Sequence, residues 1–460
     1  MSIPLHIIIL AAGEGTRMKS RLPKALHALG GRPMVARLLD SVRSLQPDGI
    51  HIVHHPSAAE GMYAACPGDD VTWVRQEPRL GTGHAVQQAM PGIPGPAQVL
   101  VVYADHPLLP ATAMRALLAA GDAPLRVLTM RLPDPSGYGR ILRDAGGRII
   151  GNVEHADASE EQRLIDEVNT GILLAAAEPL RAWLDRLRND NRQGEYYLPD
   201  IYAMAAADGV EIASVPAPDP RDLQGANDPL QLALLERRLR TVNSERLMQA
   251  GVRIVDPARV ELRGNIEAGM DVTIDVNVVL EGEIRLGDEV SIGPGCVLRD
   301  CDLAAGTRVH PYSVMEGVRT TGACDIGPFA RLRPGSELAK GARVGNFVEV
   351  KQTTLGQDSK ANHLSYLGDS VIGERVNIGA GTITCNYDGA NKHRTVIGDG
   401  AFIGSDTQLV APVTVGPDAT IGAGSTITRD APAGQLTVSR AKQVSLPGWK
   451  RPAKKPQDDR

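Results

Sequence analysis

The chain has 460 residues, a net charge of −5 at pH 7 and 42% hydrophobic residues. That length supports two or three domains with full cores, and the acidic balance argues against a nucleic-acid binder, which would carry a basic stripe. Five cysteines (Cys66, Cys296, Cys301, Cys324, Cys385) show no Cys-x-x-Cys pair and no zinc spacing, which suits a reducing compartment.

The first apolar run, Leu5–Leu10, predicts a buried strand. Residues 3–12 lack the basic leader of a signal peptide, and no run reaches the about 18 apolar residues of a spanning helix, so a soluble cytoplasmic protein is expected. The strand runs into Leu10-Ala11-Ala12-Gly13-Glu14-Gly15-Thr16-Arg17-Met18 and on to Leu22-Pro23-Lys24. Gly13 and Gly15 let the backbone turn with its N–H groups bared, which is how chains cradle phosphate oxygens. Arg17 and Lys24 add positive charge beside that cradle. The Gly-Lys-Ser/Thr ending of a Walker loop and the third glycine of a dinucleotide fingerprint are both missing.

As far as residue 228, strand-like runs at 50–55, 71–76, 98–103, 125–132 and 171–175 alternate with helical patterns at 34–45, 111–120, 180–188 and 199–207. This predicts an α/β, Rossmann-like domain over residues 1–228, with a mostly parallel sheet and helices on both faces. Ligands of such sheets sit beyond the carboxyl ends of the strands. The Gly13–Gly15 loop, the Leu80-Gly81-Thr82-Gly83 turn and Asp105 all fall there. Residues 229–250 read as a linker helix, opened by Pro229 and carrying a Glu236–Arg240 pair at i, i+4.

From 251 to 460 a six-residue repeat takes over. Ile326, Leu332, Leu338, Val344 and Val350 keep the interval, as do Ile397, Ile403, Leu409, Val415, Ile421 and Ile427. This is the pattern of a hexapeptide parallel β-helix. The phase breaks between Val350 and Ile372 and between Ile378 and Ile397, and both breaks are expected to be projecting loops. Three faces of six residues make an eighteen-residue coil. Arg333 and Lys351, eighteen apart, should stack on adjacent coils, repelling unless an anion lies between them. Ser405 and Ala423 share that interval, giving a ladder of small residues for a long ligand. Arg440, thirteen residues past Ile427, reads as having left its own prism for a neighbouring one. The tail, residues 447–460, is expected to be mobile at its far end.

The loop from Leu10 to Lys24 resembles the signature of the sugar-1-phosphate nucleotidyltransferases. The repeats resemble the hexapeptide transferases, which implies a left-handed coil. Over residues 5 to about 450 the chain is similar to the bacterial bifunctional N-acetylglucosamine-1-phosphate uridylyltransferase/glucosamine-1-phosphate acetyltransferase family. The resemblance implies that acetyl-coenzyme A first acetylates glucosamine-1-phosphate at the β-helix. UTP then converts the product to UDP-N-acetylglucosamine, a precursor of peptidoglycan and lipopolysaccharide, with release of pyrophosphate. Leu10, Ala11, Ala12, Gly13, Gln76, Gly81 and Thr82 would hold uridine and ribose, next to Tyr103 and Ala104. Arg17 and Lys24 would neutralise the triphosphate, and Asp105 and Asn227 would hold one Mg²⁺. Gly139, Glu154 and Asn169 would contact the N-acetyl sugar.

In the second half the resemblance places the amino-sugar phosphate at Arg333, Lys351, Tyr366 and Asn377. Acetyl-coenzyme A falls to Ala380, Asn386, Tyr387, Ser405, Ala423 and Arg440, and the assembly is implied to be a homotrimer. His363, read as part of the first projecting loop, would be the base that the protonated amine needs. Uridylyl transfer needs no base, because a phosphate monoester with a second pKa of about 6 is already an anion at neutral pH. Two departures from the family are Ala104, where glycine is usual, and Glu14, where a basic residue is frequent. The rival expectation is a monofunctional nucleotidyltransferase with a structural or regulatory β-helix.

Overall fold

The computed structural model describes residues 3–191 and 193–452. It divides into two compact units, residues 1–243 and residues 244–460. The far end of the tail, where mobility was expected, lies outside the described residues from 453 on.

Among the described residues of the first unit, nine strands form one sheet: β1 (Leu5–Leu10), β2 (Gly49–His54), β3 (Val71–Arg75), β4 (Gln98–Tyr103), β5 (Leu125–Arg131), β6 (Arg140–Arg143), β7 (Ile149–Val153), β8 (Glu167–Ala176) and β9 (Ile212–Pro216). The order is β9-β5-β8-β4-β1-β2-β3, with β6 on β8 and β7 on β6. The strands beside β1 run parallel to it, whereas β8 is antiparallel to both β4 and β5. Successive side chains of a strand point to opposite faces. Ile8 and Leu10 accordingly join one core, with the helices Thr82–Ala89 and Ala177–Leu184, and Ile7 and Ile9 join the other, with Met34–Arg43 and Ala111–Ala119. Burial on both faces explains why β1 ends in an unbroken apolar run, residues 7–10, rather than an alternating pattern.

The stretch read as a linker is a helix, Pro229–Gln249. Leu235 and Leu239 pack with Leu29, Met34 and Ala226 inside the first unit, and the Glu236 carboxylate accepts the Gly30 N–H at 2.9 Å.

At the opposite end of the sheet from the glycine loop, His6 Nδ1 and His51 Nε2 lie 3.1 Å apart with stacked rings. Burial, and then the neighbouring His6, lowers the His51 imidazole to about 4. In the unfolded chain it titrates near its ordinary value of about 6.5. Between those two values the unfolded chain binds more protons, so this contribution is complete above pH 6.5 and lost as pH falls towards 4. The unfolding temperature should therefore fall as pH is lowered across that window, and His51→Gln should flatten the slope. Identical pH slopes in the two proteins would count against the assignment.

The second unit is a parallel β-helix. Among its described residues eleven strands stack into one face, from Arg253–Ile254 to Leu436–Thr437, and a fifteen-stranded sheet wraps the rest. Long strands such as Glu349–Leu355 turn a corner, pairing with Arg331–Leu332 at one end and Ser336–Leu338 at the other. Ile326, Leu332, Leu338, Val344 and Val350 all point into a single continuous core. The first break in the repeat is not a projecting loop. Leu355, Ala361 and Leu367 fill the inward positions there, with coils seventeen residues long, as in the pairs Glu349↔Tyr366 and Leu355↔Ile372. His363 thus ends a solenoid strand, Lys360–His363. The second break does project: residues 386–394 leave the coil, closed by a bridge between Tyr387 and Lys392. The helix also runs one coil past Ile427, with Ile421 paired to Thr437, so Arg440 has not left its own prism. All five cysteines are free thiols. Among the described residues no helix is long and apolar enough to cross a membrane.

Candidate active sites

A cavity of about 310 Å³ opens at the carboxyl ends of β1 and β4. Its walls are the Leu10–Glu14 turn, Lys24, Gln76, Arg79, Gly81, Thr82, Tyr103, Ala104, Asp105 and Glu195 among others. Two glycines are fixed by geometry here. Gly15 has φ +67° and a Cβ on it would lie 2.6 Å from Lys24 Cβ; Gly81 has φ +99° and its Cβ would meet the Tyr196 carbonyl at 2.7 Å. Both positions exclude any larger residue. Thr82 does not belong to a turn but is the first residue of a helix, capped by Gly81.

Lys24 is the centre of this site. Its Nζ forms an ion pair with Asp105 Oδ2 and donates to Asn227 Oδ1 at 2.7 Å, and Arg17 Nη2 donates to the same Asn227 oxygen at 2.9 Å. Burial pushes the Asp105 carboxyl up, but His106 and the Lys24 ammonium more than reverse this and hold it below the usual carboxylate range. Gln76 Nε2 donates to the Gly81 carbonyl at 3.0 Å and closes the segment between them. Ala104 is buried, with its N–H on the Leu10 carbonyl at 3.0 Å; Glu14 is exposed on the rim.

Gly139, Glu154 and Asn169 do not line this cavity and form a second group. The Asn169 N–H donates to the Gly139 carbonyl at 2.9 Å, and a Cβ on Gly139 would sit 3.0 Å from Glu154 Oε1. Burial raises Glu154, and Asp200 is pushed up to about 6 by burial and then by Glu154. Sequence reasoning missed Arg79, Glu195 and Asp200. None belongs to a motif, and each is placed by folding alone.

On the β-helix, the register Ala361↔Ile378, Ile378↔Ile403, Ile403↔Ile421 and Ile421↔Thr437 sets His363, Ala380, Ser405 and Ala423 one above another. Arg440 Nη1 donates to the Ala423 carbonyl at 2.6 Å and closes that ladder. With coils about 4.8 Å apart, the ladder from His363 to the Arg440 coil spans roughly 19 Å. His363 Nδ1 lies 2.9 Å from Asn346 Oδ1, one coil away. The amide oxygen accepts from Nδ1–H, which leaves Nε2 as the acceptor nitrogen.

His363 closes one face and Tyr366 opens the next. Arg333 and Lys351 do stack on adjacent coils, each following a residue of the pair Leu332↔Val350, but the chain's own carboxylates already meet them. Arg333 Nη1 donates to Glu349 at 3.0 Å, and Lys351 Nζ lies 3.7 Å from Asp369. Asn386 also donates to Asp369, and the loop returns Lys392 to Lys351, whose proximity lowers the Lys392 amine. Asn377 stacks between Lys360 and Phe402, and Tyr387 is exposed on the projecting loop.

The two units have the folds of a nucleotidyltransferase and of a hexapeptide transferase. Residues 7–189 match the MobA-like NTP transferase domain, and residues 394–429 match the bacterial transferase hexapeptide, six repeats. The bifunctional protein GlmU of Alkalilimnicola ehrlichii is 57% identical, over 99% of this chain and 98% of its own. That of Xanthomonas oryzae pv. oryzae is 58% identical, over 99% of this chain and 100% of its own. The chain belongs to the GlmU family and is a bifunctional transferase, with nucleotidyltransferase and acyltransferase parts.

Proposed function

We propose that the β-helix acetylates glucosamine-1-phosphate from acetyl-coenzyme A and that the first unit then transfers UMP from UTP to the product, releasing pyrophosphate. The observation that carries the second step is the convergence of Asp105, Asn227, Arg17 and Lys24 at one end of a cavity of nucleotide size. The sugar phosphate attacks the α-phosphorus in line. Lys24 and Arg17 screen the charge that builds on the phosphoryl oxygens, and the Leu10–Gly13 turn and Gln76 fix the nucleoside. Gly139, Glu154 and Asn169 seat the N-acetyl sugar, and Tyr103 borders both groups.

A metal fits this site. The Lys24 ammonium lies where Asp105 Oδ2 and Asn227 Oδ1 converge, and two hard oxygens facing a cationic point suit a divalent ion of the Mg²⁺ type. Among the described residues no group of three or more His, Cys, Asp or Glu is placed to hold a metal, so an ion held by Asp105 and Asn227 would take its remaining ligands from phosphates and water. When bound, Mg²⁺ supplies positive charge to the phosphate oxygens.

For acetyl transfer, the ladder Ala380–Ser405–Ala423 carries the long coenzyme, with Arg440 at its phosphate end and Asn386 and Tyr387 beside it. His363 Nε2 takes the proton of the sugar amine as the thioester carbon is attacked. Lys351 with Arg333 binds the sugar phosphate, and Tyr366 and Asn377 frame the sugar. The active assembly is a homotrimer in the cytoplasm. A column of exposed side chains at left-handed corners, Tyr312, Phe329, Phe347 and Leu364, supports close packing of prisms. A monomeric mass in solution would count against it.

One assay tests the whole reading. Protein, acetyl-coenzyme A, glucosamine-1-phosphate, UTP and Mg²⁺ should yield UDP-N-acetylglucosamine, while added EDTA should stop pyrophosphate release and leave thiol release running. Pyrophosphate release that persists in EDTA would remove the metal from the scheme.

A further inference from the structure

Arg79 lines the nucleotide cavity, is half-buried, and belongs to no motif. Among the described residues its hydrogen bond is the one from Nε to the Ala12 carbonyl, at 2.6 Å. That bond pins the guanidinium to the end of β1 and leaves both η amino groups, a rigid fork of donors, for something in the cavity. The other cation of the cavity wall, Lys24, is already bonded to Asp105 and Asn227 at the phosphate end. Arg79 instead sits in the segment between Gln76 and Gly81. Gln76 Nε2 donates to the Gly81 carbonyl, which turns the amide so that Oε1 remains as an acceptor.

Uracil presents two keto oxygens flanking one N–H. An acceptor such as Gln76 Oε1 suits the central N3–H, and donors are then required on either side. Cytosine differs at one flank, where an amino group replaces the 4-keto oxygen and N3 becomes an acceptor. We propose that Arg79 is a specificity-determining residue whose η amino group donates to O4 of uracil and sets the preference for UTP over CTP. This rests on the uridylyl-transfer reading above. A donor fork facing the cytosine amino group would be left unpaired in a partly desolvated pocket, so the wrong base is penalised as well as the right one held.

The test measures kcat/KM with UTP and with CTP for wild type, Arg79→Met and Arg79→Lys, with thermal unfolding as a check of folding. Wild type should favour UTP. Arg79→Met should lose UTP efficiency on the order of 10–100-fold and bring the UTP:CTP ratio towards one. Arg79→Lys keeps the charge without the fork and should not restore the ratio. Equal losses with both nucleotides, rescued by lysine, would show a phosphate contact and overturn the proposal; so would an unchanged ratio in both variants. Wild type that releases no pyrophosphate from either nucleotide would instead sink the uridylyl-transfer reading itself. The two failures are thus distinguishable.

Discussion

Lys24→Ala is expected to lower uridylyl transfer by at least about 10²–10³-fold, while acetyl transfer stays within about twofold of wild type. Lys24 Nζ bridges Asp105 and Asn227, so the substitution removes a positive charge from the place where phosphoryl charge develops. It also strips a half-buried carboxylate of its neighbouring cation, and Asp105 should then titrate higher. The loss should appear in kcat more than in KM for UTP, because the charge matters most in the transition state. The residues proposed for acetyl transfer belong to the other compact unit. Pyrophosphate release and thiol release, measured on one preparation, separate the effects. Loss of both activities to the same extent, with an unchanged unfolding midpoint, would contradict two independent sites.

How much of this was legible in the sequence follows from how local each signal is. Strand β4 and the helix Ala111–Ala119 were marked by apolar runs and periodicity within their own residues. The helix Thr82–Ala89 was read as a turn because glycines stand on both sides of Thr82, and the capping role of Gly81 depends on its contact with residue 196. The β6–β7 hairpin went unseen because β6 carries Arg140 and Arg143, the first of them buried. In the β-helix the long aliphatic series was plain. The stretch between Val350 and Ile372 was misread because Ala361 is too small to register as a core residue and the coils there shorten to seventeen. The last coil was hidden for a similar reason, with Thr437 in the inward register where an aliphatic was sought. Asn346 could have been found by stepping back one such coil from His363. The carboxylates of Glu349 and Asp369, which pair with Arg333 and Lys351, were present in the sequence but had no spacing rule to announce them. Arg79 had no signal at all, since its partner Ala12 lies far away in the chain, in the turn after β1.

His363→Ala should do the reverse of Lys24→Ala, with acetyl transfer falling by about 10²–10⁴-fold and uridylyl transfer unchanged. The ladder sets the geometry. Ala380, Ser405 and Ala423 offer no titratable group, so the imidazole at its end is the proton acceptor available to an amine presented there. The amine of the sugar is largely protonated near neutral pH, and its nitrogen cannot attack a thioester until that proton leaves. Without the imidazole the proton must go to solvent. The variant should therefore gain rate relative to wild type as pH rises, because hydroxide then does what Nε2 did. Asn346 makes the assignment sharper. Its Oδ1, 2.9 Å from Nδ1, holds the tautomer in which Nε2 is free to accept, so Asn346→Ala should lower kcat by less than His363→Ala while leaving KM for acetyl-coenzyme A little changed. A lost base and a lost binding residue part company here. If His363→Ala raised KM for the coenzyme and left kcat intact, with no recovery at high pH, His363 would be a wall of the site rather than its base.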